Sequence, residues 1–70
     1  MDSRTKVMLA SLPERHRKYL ETLREDLKVM KERDDSEMVK EYKAMAKGYI
    51  RCLNNSGICD FKTLWCWFTL

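Results

Sequence analysis

Apolar residues recur at helical spacing through the first half of the chain. Between residues 12 and 30 they stand 4, 4, 3, 4 and 3 positions apart, while Arg15, Lys18, Thr22 and Asp26 lie on the opposite side. Intervals of three and four bring side chains onto one face of an α-helix. The pattern therefore predicts an amphipathic helix that runs to about Arg33. Its apolar stripe consists of Leu12, His16, Leu20, Leu23, Leu27 and Met30, and Tyr19 widens it.

A second stretch with the same periodicity extends over residues 37–54. Its apolar stripe consists of Met38, Tyr42, Met45, Tyr49 and Cys52 or Leu53, with Ala46 and Ile50 widening it. The connection over residues 33–36 is short enough to force the two long helices to be antiparallel neighbours. Gly48 interrupts the second helix at a cost of about 1 kcal/mol relative to alanine. Together with Ala44 it would suit a point where another helix approaches closely.

Residues 60–70 contain both tryptophans and both phenylalanines of the chain, and only Asp60 and Lys62 are charged there. Asp60 is suited to cap a short helix, and the apolar arc of that helix is too wide for a surface position. The segment is therefore predicted to lie against the two long helices or to be shared with a partner. Its inward face consists of Phe61, Leu64, Trp65 and Phe68, with Cys66 and Trp67 on either side.

The start of the chain carries weaker signals. Ser3 is suited to cap a turn or two of helix. Ser11 with Glu14 has the form of a capping box for the first long helix, whereas Pro13 as the first helical residue would make Leu12 the cap. The whole pattern predicts an all-α fold with one domain, residues 1–70. That domain is a small three-helix bundle of two long antiparallel helices and a short aromatic C-terminal helix, with a short N-terminal helical turn.

Size and charge narrow the classes of function. A chain of 70 residues has a core that supplies about 3–5 kcal/mol of net stability at most, and it is too short for a deep catalytic cleft. Its 14 basic and 11 acidic side chains are interspersed and give a net charge of +3, which favours solubility and only weakly favours polyanions. No stretch resembles a signal peptide or reaches the ~20 apolar residues of a membrane span. We expect a cytoplasmic protein without enzymatic activity, cofactor or membrane contact.

The cysteines and the single histidine are the candidates for metal or redox chemistry. Cys52, Cys59 and Cys66 stand seven residues apart, unlike the close cysteine pairs of zinc sites. Without a secretory signal we expect reduced thiols that fill the core as small apolar residues. His16 lies on the apolar stripe of the first long helix, so we expect a half-buried packing residue. No metal site is predicted.

Two surfaces are candidates for binding. The aromatic flank of the C-terminal segment predicts a protein–protein interaction module, with a homodimer as one form, because such patches are typical of interfaces. Its residues are Trp67, Cys66, Leu70 and Trp65. The alternative is a small basic nucleic-acid-binding regulator that contacts phosphates, although interleaved glutamates can neutralise its charge. The basic residues concerned are Arg15, Arg17, Lys18, Arg24, Lys28 and Lys31.

The last third of the chain also carries a recognisable string of residues. Residues 47–53 read Lys-Gly-Tyr-Ile-Arg-Cys-Leu, Gly57 and Ile58 follow, and residues 64–69 read Leu-Trp-Cys-Trp-Phe-Thr. This string resembles the tail of small uncharacterised helical proteins from phages and integrative elements of Gram-positive bacteria. The resemblance includes no catalytic motif and carries over no functional residue. It implies a setting in which many such proteins bind a host or element-encoded protein, some as inhibitors of defence systems.

Overall fold

The structure is a computed structural model that describes residues 2–70. Within this range it contains four α-helices and no strand: α1 (Ser3–Ser11), α2 (Glu14–Glu32), α3 (Ser36–Asn55) and α4 (Phe61–Thr69). The all-α class is confirmed. The count of three helices is wrong, because the predicted N-terminal turn is a helix of nine residues that packs on α4.

The sequence around α1 explains where this helix begins and ends. Asp2, rather than Ser3, is the N-cap, and its carboxylate accepts a hydrogen bond from the backbone N–H of Thr5 at 2.8 Å. Pro13 disfavours the helical conformation for the residue before it, and Leu12 is accordingly extended, with φ −68° and ψ 140°. The chain therefore turns between α1 and α2, and the buried side chain of Leu12 fastens this turn to the core.

The start of α2 differs from both sequence predictions. Pro13 occupies the N-cap position and makes no side-chain capping bond, so the predicted capping box is absent. The hydroxyl of Ser11 donates instead to the backbone carbonyl of Met8 at 2.7 Å. Glu14 lies in the first turn of α2, where a negative charge is favoured by the helix dipole. Its carboxylate also forms an ion pair with Lys18 at 3.1 Å.

The α2–α3 hairpin is antiparallel, as predicted. Three residues separate the two helices. Asp34 has a positive φ of 60°, a conformation that aspartate adopts more readily than most residues. Asp35 caps α3 by accepting a hydrogen bond from the backbone N–H of Met38 at 3.2 Å. His16 near the start of α2 contacts Tyr49 near the end of α3, which fixes the antiparallel direction.

The core lies where α4 and the α1–α2 turn meet the α2–α3 hairpin. Its buried residues are Leu12, Leu20, Leu23, Leu27, Ala46, Ile50, Leu53, Leu64, Trp67 and Phe68. Burying one leucine, isoleucine or phenylalanine side chain contributes about 1.5–3 kcal/mol of transfer free energy. Within residues 2–70 no polar or charged residue is buried. The fold therefore depends on the packing of α4 and the hairpin rather than on polar contacts in the interior.

Helix α3 buries most of the predicted apolar stripe and exposes the rest. Ala46 and Ile50 are buried, and of the two alternatives Cys52 and Leu53 it is Leu53 that is buried. Tyr42 and Tyr49 are half-buried and pack against the core. The prediction is wrong for Met45, which is 48% exposed, and for Cys52, which is also exposed, because α3 packs against both α2 and α4 and turns these two side chains away from them.

The turn into α4 follows the predicted signals. Gly57 has φ 75°, which favours glycine at the end of a helix, and the N–H of Ile58 donates to the carbonyl of Leu53 at 2.9 Å. Asp60 caps α4 by accepting hydrogen bonds from the hydroxyl of Thr63 at 2.6 Å and from its backbone N–H at 3.0 Å. These two bonds hold the pKa of Asp60 below its usual value.

Candidate protein-binding face

One side of the α2–α3 hairpin is covered by α4, and the other side is open. On α3, the cationic groups of Lys47 and Arg51 each lie 5.9 Å from a ring centroid of α4, over Trp65 and Phe61 respectively. Met45 is two residues from Lys47 and therefore about 200° from it around the helix. The 48% exposure of Met45 shows that this flank of α3 is uncovered.

The open side presents a row of tyrosine and methionine side chains, which we call the tyrosine face. It consists of Tyr19 of α2 and of Tyr42, Met45 and Tyr49 of α3. The three residues of α3 are three and four positions apart, so they share one surface of the helix. Tyr19 is 40% exposed, and its ring centroid lies 4.6 Å from that of Tyr49. This contact joins the two helices into a single surface.

A hydrogen bond holds the tyrosine face in place. Nδ1 of His16 and the hydroxyl of Tyr49 share this bond, and the two rings meet edge to face with their centroids 5.6 Å apart. Tyrosine has few rotatable bonds, so it loses little conformational entropy when a partner covers it. The half-buried packing of His16 agrees with the prediction, and the histidine also positions Tyr49.

One stripe of α3, next to the tyrosine face, is poor in charge. Residues at successive intervals of three and four on this flank are Met38, Glu41, Met45, Gly48 and Cys52. Only the glutamate is charged, in a chain in which 36% of the residues are charged. Depletion of charge together with enrichment in tyrosine and methionine is characteristic of the centre of protein interfaces.

The outward flank of α2 carries two opposite charges with an uncharged stretch between them. Tyr19 and Thr22 lie between Arg15 and Asp26 at intervals of 4, 3 and 4, which places all four residues on one side of the helix. Neither charged residue belongs to an ion pair within residues 2–70. The tyrosine face is therefore bordered along α2 by a cation at one end and an anion at the other.

The structure separates the four residues that were predicted to bind a partner. Trp67 is only 4% exposed and belongs to the core rather than to an exposed flank. Trp65 is half-buried, stacked between two phenylalanine rings of α4 at centroid distances of 6.1 and 5.9 Å. Cys66 is exposed and Leu70 is 76% exposed. The predicted aromatic flank therefore offers only the last two residues as open surface.

Arg24 accounts for the burial of Trp67. Its Nε donates a hydrogen bond to the backbone carbonyl of Trp67 at 3.1 Å, and its guanidinium lies 5.1 Å from a ring centroid of the same residue. The last four carbonyls of a helix lack the regular partners of its interior. This carbonyl of α4 also accepts a long hydrogen bond from the N–H of Leu70 at 3.4 Å, so Arg24 is its second partner. The side chain of Arg24 therefore fastens the end of α4 to α2.

The six basic residues that were predicted to contact phosphate do not form one surface. Arg24 is used to hold α4, and Nζ of Lys18 lies 3.1 Å from the carboxylate of Glu14. Arg15 is nine residues from Arg24 and therefore about 180° from it around the helix. The residues that stay together on one stripe of α2 beside Arg24 are Arg17, Lys28 and Lys31.

The predicted core role of the cysteines is wrong for Cys52 and Cys66, whereas Cys59 packs against the core. Cys52 and Cys66 are exposed, and Cys59 is half-buried. Cys52 lies on the outward flank of α3, one residue before the buried Leu53. Burial raises the pKa of the Cys59 thiol, and the nearby carboxylate of Asp60 adds to this effect. Within residues 2–70 no group of three His, Cys, Asp or Glu side chains is arranged to hold a metal ion.

A second apolar region lies between α1 and the turn that precedes α4. It is an open groove of about 640 Å³ whose walls include Arg4 and Asp60. Val7 and Ile58, exposed at 68% and 37%, lie at this groove. These side chains are aliphatic and stand among polar residues, whereas the tyrosine face includes aromatic rings in contact across two helices.

Two further findings concern membrane-spanning helices and similarity to known proteins. In the described part of the chain no helix has both the length and the apolar character needed to cross a membrane. Comparison of the chain with protein-family models, with curated proteins and with solved structures finds no match. The tyrosine face is therefore the feature on which a proposal of function rests.

Sequence reasoning did not identify the tyrosine face as a surface. The spacing predicts that Tyr42, Met45 and Tyr49 face the core, because it marks an apolar stripe without saying how far the fold covers it. Tyr42 and Tyr49 do pack against the core but are only half-buried, and Met45 is 48% exposed. The available signal was the width of the apolar arc on α3. The stripe through Ala46, Ile50 and Leu53 adjoins the tyrosine stripe, and one helix with two adjoining stripes exceeds what a single hairpin partner can cover.

Proposed function

We propose that this protein is a non-enzymatic protein–protein interaction module that binds its partner through the tyrosine face. The observation that carries the proposal is the row of exposed and half-buried side chains, Tyr19, Tyr42, Met45 and Tyr49, on the side of the hairpin away from α4. Aromatic and methionine side chains at the centre of a charge-poor patch are those that dominate binding energy at interfaces.

The exposed parts of these side chains are large enough to matter for binding. Tyr19 is 40% exposed. A large aromatic side chain has about 200 Å² to bury, so about 80 Å² of Tyr19 is open to a partner. At about 25 cal/mol per Å², covering it contributes about 2 kcal/mol. Met45, at 48% exposure, adds a contribution of similar order, so these two residues are the expected hot spots.

The resemblance to small proteins of phages and integrative elements supports the setting of the proposal. In that setting the module binds or inhibits a host or element-encoded protein, and a second copy of the chain is one element-encoded partner. The nucleic-acid alternative has less support, because Arg24 and Lys18 are engaged within the chain and Arg15 lies on the other side of α2. Replacing both Arg17 and Lys28 by glutamine should therefore leave binding of the partner unchanged.

Site-specific photo-crosslinking tests the proposal and does not require the identity of the partner. Met45 is replaced by p-benzoylphenylalanine, and in a matched control the exposed Lys62 of α4 is replaced by the same amino acid. Irradiation in cells that express the protein should give a discrete protein adduct from position 45. No discrete adduct is expected from position 62. Circular dichroism checks that both variants retain the helical fold.

Two crosslinking results would contradict binding through the tyrosine face. If position 45 gives no adduct, or if positions 45 and 62 give the same adducts in the same yield, the tyrosine face is not the binding surface. If the adduct from position 45 disappears when Tyr19 is replaced by arginine but persists in the Arg17→Gln, Lys28→Gln variant, protein binding through the tyrosine face is supported.

A further inference from the structure

We infer that the partner on the tyrosine face is a second copy of this chain, related to the first by a two-fold axis that passes close to Gly48. This inference rests on the proposed function, because it names the partner of the same face. It is carried by three observations: the width of the face, the charges at its two ends on α2, and the position of Gly48 on α3.

The tyrosine face is two helices wide. α3 has 20 residues, and a helix of this length spans about 30 Å. Packed helices lie about 8–10 Å apart, so the open side of the hairpin measures roughly 30 by 20 Å, about 600 Å² before side-chain relief is added. A stable interface buries about 800 Å² per partner. A single helix would cover only half of this width, whereas a second α2–α3 hairpin would cover all of it.

The charges at the ends of the α2 flank favour an antiparallel second copy. Arg15 and Asp26 are eleven residues apart, which separates them by about 16 Å along the helix and only about 20° around it. If α2 of the second copy lies antiparallel across this flank, Arg15 of each copy faces Asp26 of the other. This two-fold dimer contains two ion pairs between Arg15 and Asp26. Its axis crosses α2 halfway between these residues, between Leu20 and Glu21. A parallel arrangement would place like charges together, which opposes association.

The same axis crosses α3 at a glycine. The ring centroids of Tyr19 and Tyr49 are 4.6 Å apart, so these two residues lie at the same height along the antiparallel hairpin. The midpoint of α2 lies one or two residues after Tyr19. Because α3 runs antiparallel to α2, the same level on α3 lies one or two residues before Tyr49, at Gly48 or Lys47. Gly48 is exposed, and within residues 2–70 no atom beyond its two neighbours and its own helix backbone lies within 4 Å of the position that its Cβ would take.

The small residues around Gly48 fit a close crossing of two α3 helices. Ala44 lies one turn before it and Cys52 one turn after it, both exposed. The interaxial distance of packed helices is set by the side chains at the contact, and small residues allow the closest approach. Within residues 2–70 no side chain packs on Gly48. A glycine at this position lowers helix stability, and the close approach of a second α3 helix explains why one is present. The antiparallel pairing from α2 and the glycine on α3 thus indicate the same axis independently.

Charge exchange tests the inference with the full chain. Sedimentation velocity over a concentration series measures the dissociation constant of the parent protein, Arg15→Asp and Asp26→Arg. In each single variant both inter-copy pairs become like-charged, so we expect the dissociation constant to rise about tenfold or more. An equimolar mixture of the two variants forms a heterodimer in which both pairs are again opposite, so association should return to near the parent value. Arg17→Asp mixed with Asp26→Arg is the matched control and should not restore it.

A second variant gives opposite effects on folding and association. Gly48→Leu replaces an exposed glycine by a good helix former, so the melting temperature of the dilute monomer should rise. The bulky side chain at the axis should raise the dissociation constant of the dimer about tenfold or more. Unchanged association in Gly48→Leu, or failure of the mixed charge variants to associate better than either alone, overturns the two-fold arrangement.

The outcomes separate this inference from the proposed function. A chain that stays monomeric throughout the concentration series, yet gives an adduct with a different protein from position 45, overturns the second copy as partner and leaves protein binding through the tyrosine face standing. A monomeric chain without any adduct from position 45 overturns both. A crosslinked dimer from position 45, together with rescue in the mixture, supports both.

Discussion

Replacement of Arg24 by methionine is the perturbation whose size follows most directly from the structure. Methionine keeps an unbranched apolar stem against α4 but removes the hydrogen bond to the carbonyl of Trp67 and the cation over its ring. A hydrogen bond from a charged group contributes about 1.5–3 kcal/mol. Because Arg24 is only half-buried, solvent screening reduces this contribution to about 1–1.5 kcal/mol. The cation–π contact adds about 0.5–1 kcal/mol.

The expected loss for Arg24→Met is therefore about 2 kcal/mol, out of a total stability of about 3–5 kcal/mol for a domain of this size. A loss of that size lowers the melting temperature by about 8–16 °C. Urea unfolding followed by circular dichroism measures it, because a small single domain unfolds in one cooperative transition. Arg24→Lys keeps a cation near the ring of Trp67 but loses the guanidinium geometry, so it should cost about half as much.

The control for Arg24 is Lys28→Met on the same stripe of α2. Lys28 is exposed, so this change should stay within about 0.5 kcal/mol of the parent. If Arg24→Met costs no more than Lys28→Met, Arg24 does not fasten α4, and the burial of Trp67 needs another explanation. A loss of nucleic-acid binding in Arg24→Met with unchanged stability would instead return Arg24 to the predicted phosphate-contacting set.

Four further predictions test other parts of the fold. Deleting residues 65–70 removes two core side chains, and the shortened chain should lose its cooperative melting transition; a sharp transition near the parent temperature would contradict the packing described above. Gly57→Ala should cost about 1–2 kcal/mol in urea unfolding, because its φ of 75° strains any residue with a Cβ. Iodoacetamide should label Cys66 before Cys59, because burial raises the pKa of the Cys59 thiol; equal rates by mass spectrometry would argue against this. The pKa of Asp60 is lower in the folded protein than its unfolded value of 3.8, so its stabilisation is complete above that value and is lost as the pH falls through the folded pKa. An acid titration of Asp60→Asn followed by circular dichroism should lack this part of the transition.

The helix ends were predictable where a signal is local. Asp60 caps α4 and Gly57 ends the preceding helix because a carboxylate at an N-cap, or a glycine with positive φ, acts within a few residues of its own position. The short connection before α3 fixed the direction of the hairpin for the same reason. α1 was predicted only as a turn or two of helix rather than as a helix of nine residues. Its own apolar pattern is weak, and α1 gains its stability from packing on α4, a contact that local sequence does not contain.

The phase of α3 could not be read from spacing alone. The stripe through Met45 and the stripe through Ala46 differ by one residue, and both are apolar, so periodicity supports either as the core face. The choice depends on where α2 and α4 lie, which is a property of the tertiary fold. The same choice affects the candidate site, since it leaves Met45 and Cys52 exposed and Tyr42 and Tyr49 only half-buried.

The scarcity of ion pairs affects how this sequence can diverge. Within residues 2–70 the ion pair is Lys18 with Glu14, whose side chains are 72% and 67% exposed, and pairs of this kind add little to folding. In the same range, the charged side chains with a structural role are the capping aspartates Asp2, Asp35 and Asp60, together with Arg24 and the two cations over the α4 rings. Most of the other charged side chains are exposed. Selection can therefore reverse many of their signs one at a time without unfolding the domain. Descendants of one ancestral fold can in this way acquire different recognition specificities while their interiors stay the same.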